Sequence, residues 1–197
     1  MNVYDFDETI YNGDCSVEFI LFLTRRHLKL LKYYPGAFVS CIKYLFGIID
    51  ASKLKSSFFK MISEVDLEKE IDLFWDIKIS KIKKWYLEKK EKSDLVISAS
   101  PDFLVGEACM RLNINSLSSP VNLKTGEYIK NFYGDEKLRQ FKKKYSGVKI
   151  RKFYSDSKTD IFLAEIAEES YFVKKNKVMR WIIDKRLINF NLFCCFL

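Results

Sequence analysis

The sequence predicts an α/β fold: a three-layer, doubly wound, mostly parallel sheet with a helical insertion after its first strand. Three observations carry that prediction. A short apolar segment, Met1 to Tyr4, opens the chain and ends on acidic residues. About eighty residues of helical periodicity with few breakers follow it. From Asp94 onward short apolar runs alternate with helical segments, the pattern of right-handed strand–helix–strand crossovers.

In order, Met1 to Tyr4 reads as the first strand. Val17, Ile20, Leu21 and Thr24 sit at helical spacing, and Pro35-Gly36 punctuates. Phe38 to Ile49 then reads as a second, very apolar helix, buried in a helical bundle. A third helix is expected over Ser52 to Ile62. A long fourth, Leu67 to Lys92, carries the stripe Ile71, Phe74, Trp75, Ile79, Ile82 and Trp85. Leu95-Val96-Ile97 is a continuous apolar run, as in a strand covered on both faces. Pro101 opens a helix to about Leu112. Asn113 to Ile129 alternates loosely around Lys124-Thr125-Gly126, as a hairpin would. Helix Asp135 to Tyr145, strand Val148 to Tyr154, helix Thr159 to Ala167 and strand Ser170 to Val173 complete the series. The expected organisation is a core of residues 1–13 and 93–173, a helical cap of 14–92 and a tail of 174–197.

Composition narrows the chemistry. The 197 residues are 48% hydrophobic, with 17 Phe, 11 Tyr and 3 Trp, ample for a packed core and unlike a disordered chain. His27 is the single histidine, and no Cys-x-x-Cys occurs among five cysteines. A Cys/His zinc site, a Ser-His-Asp triad and a Cys-His pair are therefore disfavoured. The net charge of +8 is spread over Lys-rich helix faces and the tail, without a basic stripe interleaved with aromatics, so no nucleic-acid partner is expected. No uncharged run is long enough to span a bilayer, and the start Asn2-Val3-Tyr4-Asp5 lacks the pattern of a signal peptide. A cytoplasmic location is the expectation.

In doubly wound sheets the site lies beyond the carboxyl ends of the strands. Those ends offer Asp5, Asp7 and Thr9 after the first strand and Ser98 and Ser100 after the second. Asp156 and Asp160 follow a later strand, and Lys137 stands in the first turn of a helix. Clustered carboxylates with one lysine suit phosphoryl transfer. The carboxylates would hold Mg²⁺, the cation and lysine would neutralise phosphoryl oxygens, and one carboxylate could act as nucleophile with another as acid and base.

Asp5-Phe6-Asp7-Glu8-Thr9 resembles the first motif of the haloacid dehalogenase superfamily. Val96-Ile97-Ser98 resembles its second, Lys137 within Gly134-Asp135-Glu136-Lys137 its third, and Asp156-Ser157-Lys158-Thr159-Asp160 its fourth. A helical cap after the first motif resembles the phosphoserine-phosphatase-like branch. The resemblance implies a Mg²⁺-dependent phosphatase of a small phosphorylated metabolite, working through an aspartyl-phosphate. It makes Asp5 the nucleophile and a metal ligand, and Asp7 the acid and base with its main-chain carbonyl on the metal. Ser98 and Lys137 would bind the phosphoryl group. Asp156 would be a metal ligand, and Asp160 would act on the metal through water or from behind the ligands.

Departures from that branch bear on the substrate. Ala99-Ser100-Pro101 stands where Gly-Gly usually follows the second-motif Ser, and Thr159 where Asn usually stands. Asp14 falls near the place of a cap Glu that binds a substrate amine, and it could equally cap a helix. No Arg occurs between Arg26 and Arg111 to bind a substrate carboxylate, which argues against phosphoserine. Two alternatives stay open. One is a lipid-phosphate phosphatase at a membrane surface, with Phe38 to Ile49 as an interfacial helix beside Lys29, Lys32 and Lys43. The other is a non-catalytic module that binds phospholigands. Oligomeric state and the role of the basic, then apolar, tail are left open.

Overall fold

The computed structural model describes residues 1–183. Six strands form one sheet: β1 (Asn2–Tyr4), β2 (Leu95–Pro101), β3 (Asn115–Ser119), β6 (Lys152–Ser155), β7 (Glu169–Lys174) and β8 (Lys177–Arg180). Their order is β3-β2-β1-β6-β7-β8, parallel except for the β7–β8 pair. β4 (Val121–Asn122) and β5 (Glu127–Tyr128) make a separate antiparallel hairpin.

The layers follow from the two-residue period of the strands. Val3, Leu95, Ile97 and Phe153 point to one face and join Phe141 and Leu163, from helices α7 (Asp135–Lys144) and α8 (Ile161–Ile166), in one apolar cluster. Tyr4, Val96 and Tyr154, one residue along, join the cluster on the other face. That second cluster takes in α6 (Asp102–Arg111) and also α1 (Cys15–Arg26) and α4 (Leu67–Lys78) of the insertion. At its centre Phe6 and Tyr11 stack and both meet Trp75 edge-on, with ring centroids 5.6 to 5.9 Å apart, and Trp75 Nε1 donates to Leu104 O at 2.9 Å. The inner half of the insertion is thus welded to the sheet.

Several elements differ from the sequence expectation. The long helix 67–92 stops at Lys78. A 3₁₀ turn Ile79–Lys81 and extended residues lead to the short α5 (Lys84–Leu87). Asn12 N donates to Lys81 O at 3.0 Å, and Lys83 N donates to Ile10 O at 2.8 Å. Backbone pairing with the loop after β1 overrides the helical period there. β6 begins at Lys152 rather than Val148, because the ladders start there: residues 152–154 pair with β1 and Lys152–Ser155 with β7. The stretch 113–129 is more than a hairpin: Asn115–Ser119 adds a parallel edge strand beside β2. The sheet does not end at Val173 either. β8 extends it into the tail, whose residues 184–197 lie outside the described ones.

α2 (Tyr34–Leu45) is the main correction. Its expected burial within a bundle is not found, since Ala37 is its one buried residue. Phe38, Leu45 and Phe46 are 66%, 81% and 76% exposed. The neighbouring α3 (Ala51–Phe59) is held differently. Tyr128 N donates to Ser56 Oγ at 2.9 Å, and Gly126, at φ +73°, passes so close that a Cβ there would lie 2.1 Å from Phe59 O. The β4–β5 hairpin therefore clamps α3, while among the described residues the outer face of α2 has no such cover.

Candidate active site

β1 ends at Tyr4, and Asp5 N donates to Tyr154 O at 2.9 Å, which extends the sheet by one residue and fixes the first acidic side chain over its carboxyl edge. Phe6 then drops into the core, and its carbonyl accepts from Ile10 N and Tyr11 N at 3.0 and 2.9 Å. The tight loop puts Glu8 in the left-handed region at φ 53°. It also presents Asp7 and Thr9 beside Asp5.

Lys137 enters from α7. The helix starts at Gly134, whose φ 60° and ψ −127° suit glycine alone. Lys137 Nζ donates to Asp5 Oδ1 at 2.6 Å and to Asp160 Oδ2 at 2.7 Å. Ser155 Oγ, at the end of β6, donates to the same Asp160 oxygen at 2.7 Å. Burial alone would lower the Lys137 pKa, but the two carboxylates outweigh it and keep the ammonium charged. Burial raises Asp5 and Asp160, and Lys137 opposes the rise in both. Thr9 Oγ1 lies 3.2 Å from Asp156 Oδ1 and 3.4 Å from Asp5 Oδ2, and it accepts from Asp156 N at 3.0 Å. It ties the first and fourth motifs together.

Asp7 is held apart from this net. Cys15 N donates to its Oδ1 at 2.7 Å and Ser100 Oγ to its Oδ2 at 2.6 Å. Burial first, and then the charge of Asp14, push its carboxyl up to about 7 despite those donors. Ser98 is buried within β2, just before the strand's register with β3 shifts, and its Oγ accepts from Ser100 N at 3.0 Å, which leaves its O–H free to donate. Asp14 caps α1, accepting from Val17 N at 2.9 Å, and borders the cavity above Asp7.

Asp5, Asp156, Asp160 and Lys137 thus meet in one network, with Asp7 and Ser98 linked through Ser100 next to it and Asp14 at the rim. Among the described residues no three His, Cys, Asp or Glu side chains converge as a ready cation cage, because Asp160 turns to Lys137 and Ser155. Asp5 and Asp156 with main-chain oxygen still fit Mg²⁺, which takes one or two carboxylates and keeps water. Ser16, Lys55 and Ser155 also belong to the site and were not singled out from sequence. Ser155 carried a signal, as the last residue of a strand beside the first motif. Lys55 carried none, since it resembles any other helix lysine.

A parallel sheet with acidic loops at its carboxyl edge, one buried lysine and a helical insertion over them defines a capped α/β hydrolase. The sequence model of haloacid dehalogenase-like hydrolases matches residues 3–165, and the chain belongs to that family. Among curated proteins no sequence match was found. A Bordetella pertussis Tohama I protein of unknown function superposes with TM-score 0.68 at 14% identity, covering 86% of this chain and 87% of that one. A phosphoserine phosphohydrolase-like protein from Francisella tularensis gives 0.54 at 16% identity over 100% of both chains. A probable phosphoserine phosphatase from Vibrio cholerae gives 0.57 at 10% identity, covering 86% of this chain and 55% of that one. At such identities the likeness is one of fold. Among the described residues no helix is long and apolar enough to cross a membrane.

Proposed function

We propose that the protein is a Mg²⁺-dependent phosphomonoesterase that acts through an aspartyl-phosphate on Asp5, with a small phosphorylated molecule as substrate. The observation that supports this best is the buried Asp5–Lys137–Asp160 array. In it the Asp5 carboxylate lies beside a fixed cation at the carboxyl edge of the sheet, which supports its reading as the nucleophile.

In the first step a carboxylate oxygen of Asp5 attacks phosphorus, and the bond from phosphorus to the leaving alcohol breaks. Asp7 gives its proton to the departing oxygen, a role suited to a carboxyl with pKa about 7. In the second step Asp7 takes a proton from water, the water oxygen bonds to phosphorus, and the Asp5 carboxylate departs, releasing inorganic phosphate. Lys137 and the Ser98 hydroxyl hold the phosphoryl oxygens, while Asp160 and Ser155 keep Lys137 in place. Mg²⁺ held by Asp5, Asp156 and the Asp7 carbonyl would supply charge neutralisation and orientation. Residues 14–92 serve as the cap that excludes bulk water during both steps.

Hydrolysis of an aryl phosphate by the purified protein, with Mg²⁺ and with chelator, tests this beside Asp5→Asn. The expected result is metal-dependent turnover that the substitution abolishes. Equal turnover in Asp5→Asn would remove the nucleophile assignment. Phosphate binding without turnover would favour the non-catalytic alternative. One observation favours a second reading, a lipid phosphate met at a membrane surface: the apolar outer face of α2 and its end, where Phe38, Leu45 and Phe46 are exposed among the described residues. Absence of sedimentation with anionic liposomes would remove it.

A further inference from the structure

The cavity beside Asp7 has a volume of about 350 Å³, the scale of a small-molecule site. At its base Ser100 Oγ donates to Asp7 at 2.6 Å, and Ser16 Oγ donates to Ser100 at 2.8 Å. Above that polar base the walls are Val17, Ile20 and Leu21 of α1, Phe58 and Phe59 of α3, and Tyr128 of β5. Two charged residues border the cavity, and the protein itself engages both. Asp14 caps α1. Lys55 Nζ donates at 3.0 Å to Ala99 O and at 3.0 Å to Asn131 Oδ1, and sits 5.3 Å from the centre of the Tyr128 ring.

We infer that this cavity receives the leaving group of the phosphate ester, and that the leaving group is an apolar alcohol, alkyl or aryl, rather than a zwitterionic one. The inference rests on the phosphomonoesterase reading and names its substrate class. A zwitterion brought into this space needs two opposite charges free to meet it, or it loses hydration without recompense. Asp14 gives Oδ1 to the end of α1, and Lys55 gives two of its three N–H groups to the neutral oxygens of Ala99 and Asn131, so each charge meets a ligand with only part of its bonding capacity. Lys55 keeps one N–H, enough for a single ester or phosphoryl oxygen at the boundary between head and body. An apolar body, in contrast, gains from every carbon placed against Ile20, Phe58 and Phe59. Val17 and Leu21, 53% and 42% exposed at the rim, are apolar surface that such a body would cover. The substrate is thus an amphiphile: phosphoryl at Asp5, apolar portion under the cap. Its source is either a dissolved monoester or a lipid in a bilayer.

The test uses the whole chain with Mg²⁺ and n-alkyl phosphates from methyl to octyl, with O-phosphoserine alongside. The expected result is a rise in kcat/KM of about three- to fourfold per methylene until the cavity is filled, with phosphoserine below butyl phosphate. Leu21→Ser and Phe58→Ser should each flatten that slope. A flat series, a preference for phosphoserine, or a slope unmoved by both substitutions overturns the inference while leaving the phosphatase standing. Calorimetry with n-alkylphosphonates, whose C–P bond cannot be hydrolysed, reads the same preference without turnover. Absence of turnover with every ester counts against the phosphatase, whereas equal binding of methyl- and octylphosphonate counts against the inference. Phosphatidic acid in phosphatidylcholine vesicles, set against dispersed octyl phosphate, supports the shared chemistry through whichever is hydrolysed faster and assigns its source.

Discussion

Replacing Lys137 by Met should expose how much of the site is held by one cation. Its ammonium lies 2.6 Å from Asp5 and 2.7 Å from Asp160, with the three side chains 5%, 11% and 1% exposed. Met fills similar volume but leaves two buried carboxylates without a counter-charge. Breaking a buried pair from one side costs about 3–5 kcal/mol. For a chain of this size about 1 kcal/mol moves Tm by about 2–4 °C, so a fall of roughly 6–20 °C is expected. Thermal melts followed by circular dichroism in chelator, where no cation can substitute, give the number. The double variant Lys137→Met, Asp160→Asn removes one orphaned charge and should recover at least about 1 kcal/mol of the loss. A fall below about 2 °C, or strict additivity in the double variant, would refute the claim that Lys137 is the counter-charge of this array.

Glu70 tests a pH dependence elsewhere in the insertion. It accepts from Arg26 Nε at 2.7 Å and lies 3.0 Å from His27 Nε2. Burial would raise its carboxyl, but these partners outweigh burial and lower it. That stability is present above the unfolded value near 4.3 and lost as pH falls through the lowered folded value. Glu70→Gln should therefore cost about 1–2 kcal/mol at pH 7, and its Tm gap to the parent should narrow in melts below about pH 4. Gly134→Ala meets no atom nearer than Thr159 O at 4.0 Å, so its cost of about 1–3 kcal/mol comes from the backbone; a matching loss of kcat would report the shift of Lys137. Asp14→Ala removes the α1 cap and should lower stability by about 1 kcal/mol in urea melts.

The sheet was legible because its strands carry their faces in their spelling. Val3 and Tyr4, or Val96 and Ile97, alternate between two apolar clusters, and the acidic residues stand just where the apolar runs stop. The placement of the candidate residues was legible for the same reason: Asp5 and Asp156 follow strand ends, Ser98 follows the apolar run of β2, and Lys137 lies one turn into a helix. The insertion was less so. Helical period continues through Ile82 and Trp85, and only the backbone bonds from Asn12 and Lys83 to chain far away in sequence reveal the break after Lys78. Apolar content misread α2, since Phe38 and Leu45 are as hydrophobic outside as they would be inside. β3 was hidden by its composition, Asn115 to Ser119, in which serines replace the branched residues of an interior strand. Lys55 became visible only when α3 was placed over the second-motif loop.

The central claim, that Asp5 carries the phosphoryl group, is tested most directly by stopping the reaction. The protein is mixed with Mg²⁺ and an aryl phosphate, quenched in acid within the first turnover, and digested for mass spectrometry. The account predicts a phosphoryl group on the peptide containing Asp5, absent from Asp5→Asn and accumulating in Asp7→Asn, where the base that activates water is gone. A protein that hydrolyses the ester while no peptide bears phosphate at any quench time, in the parent or in Asp7→Asn, would contradict it.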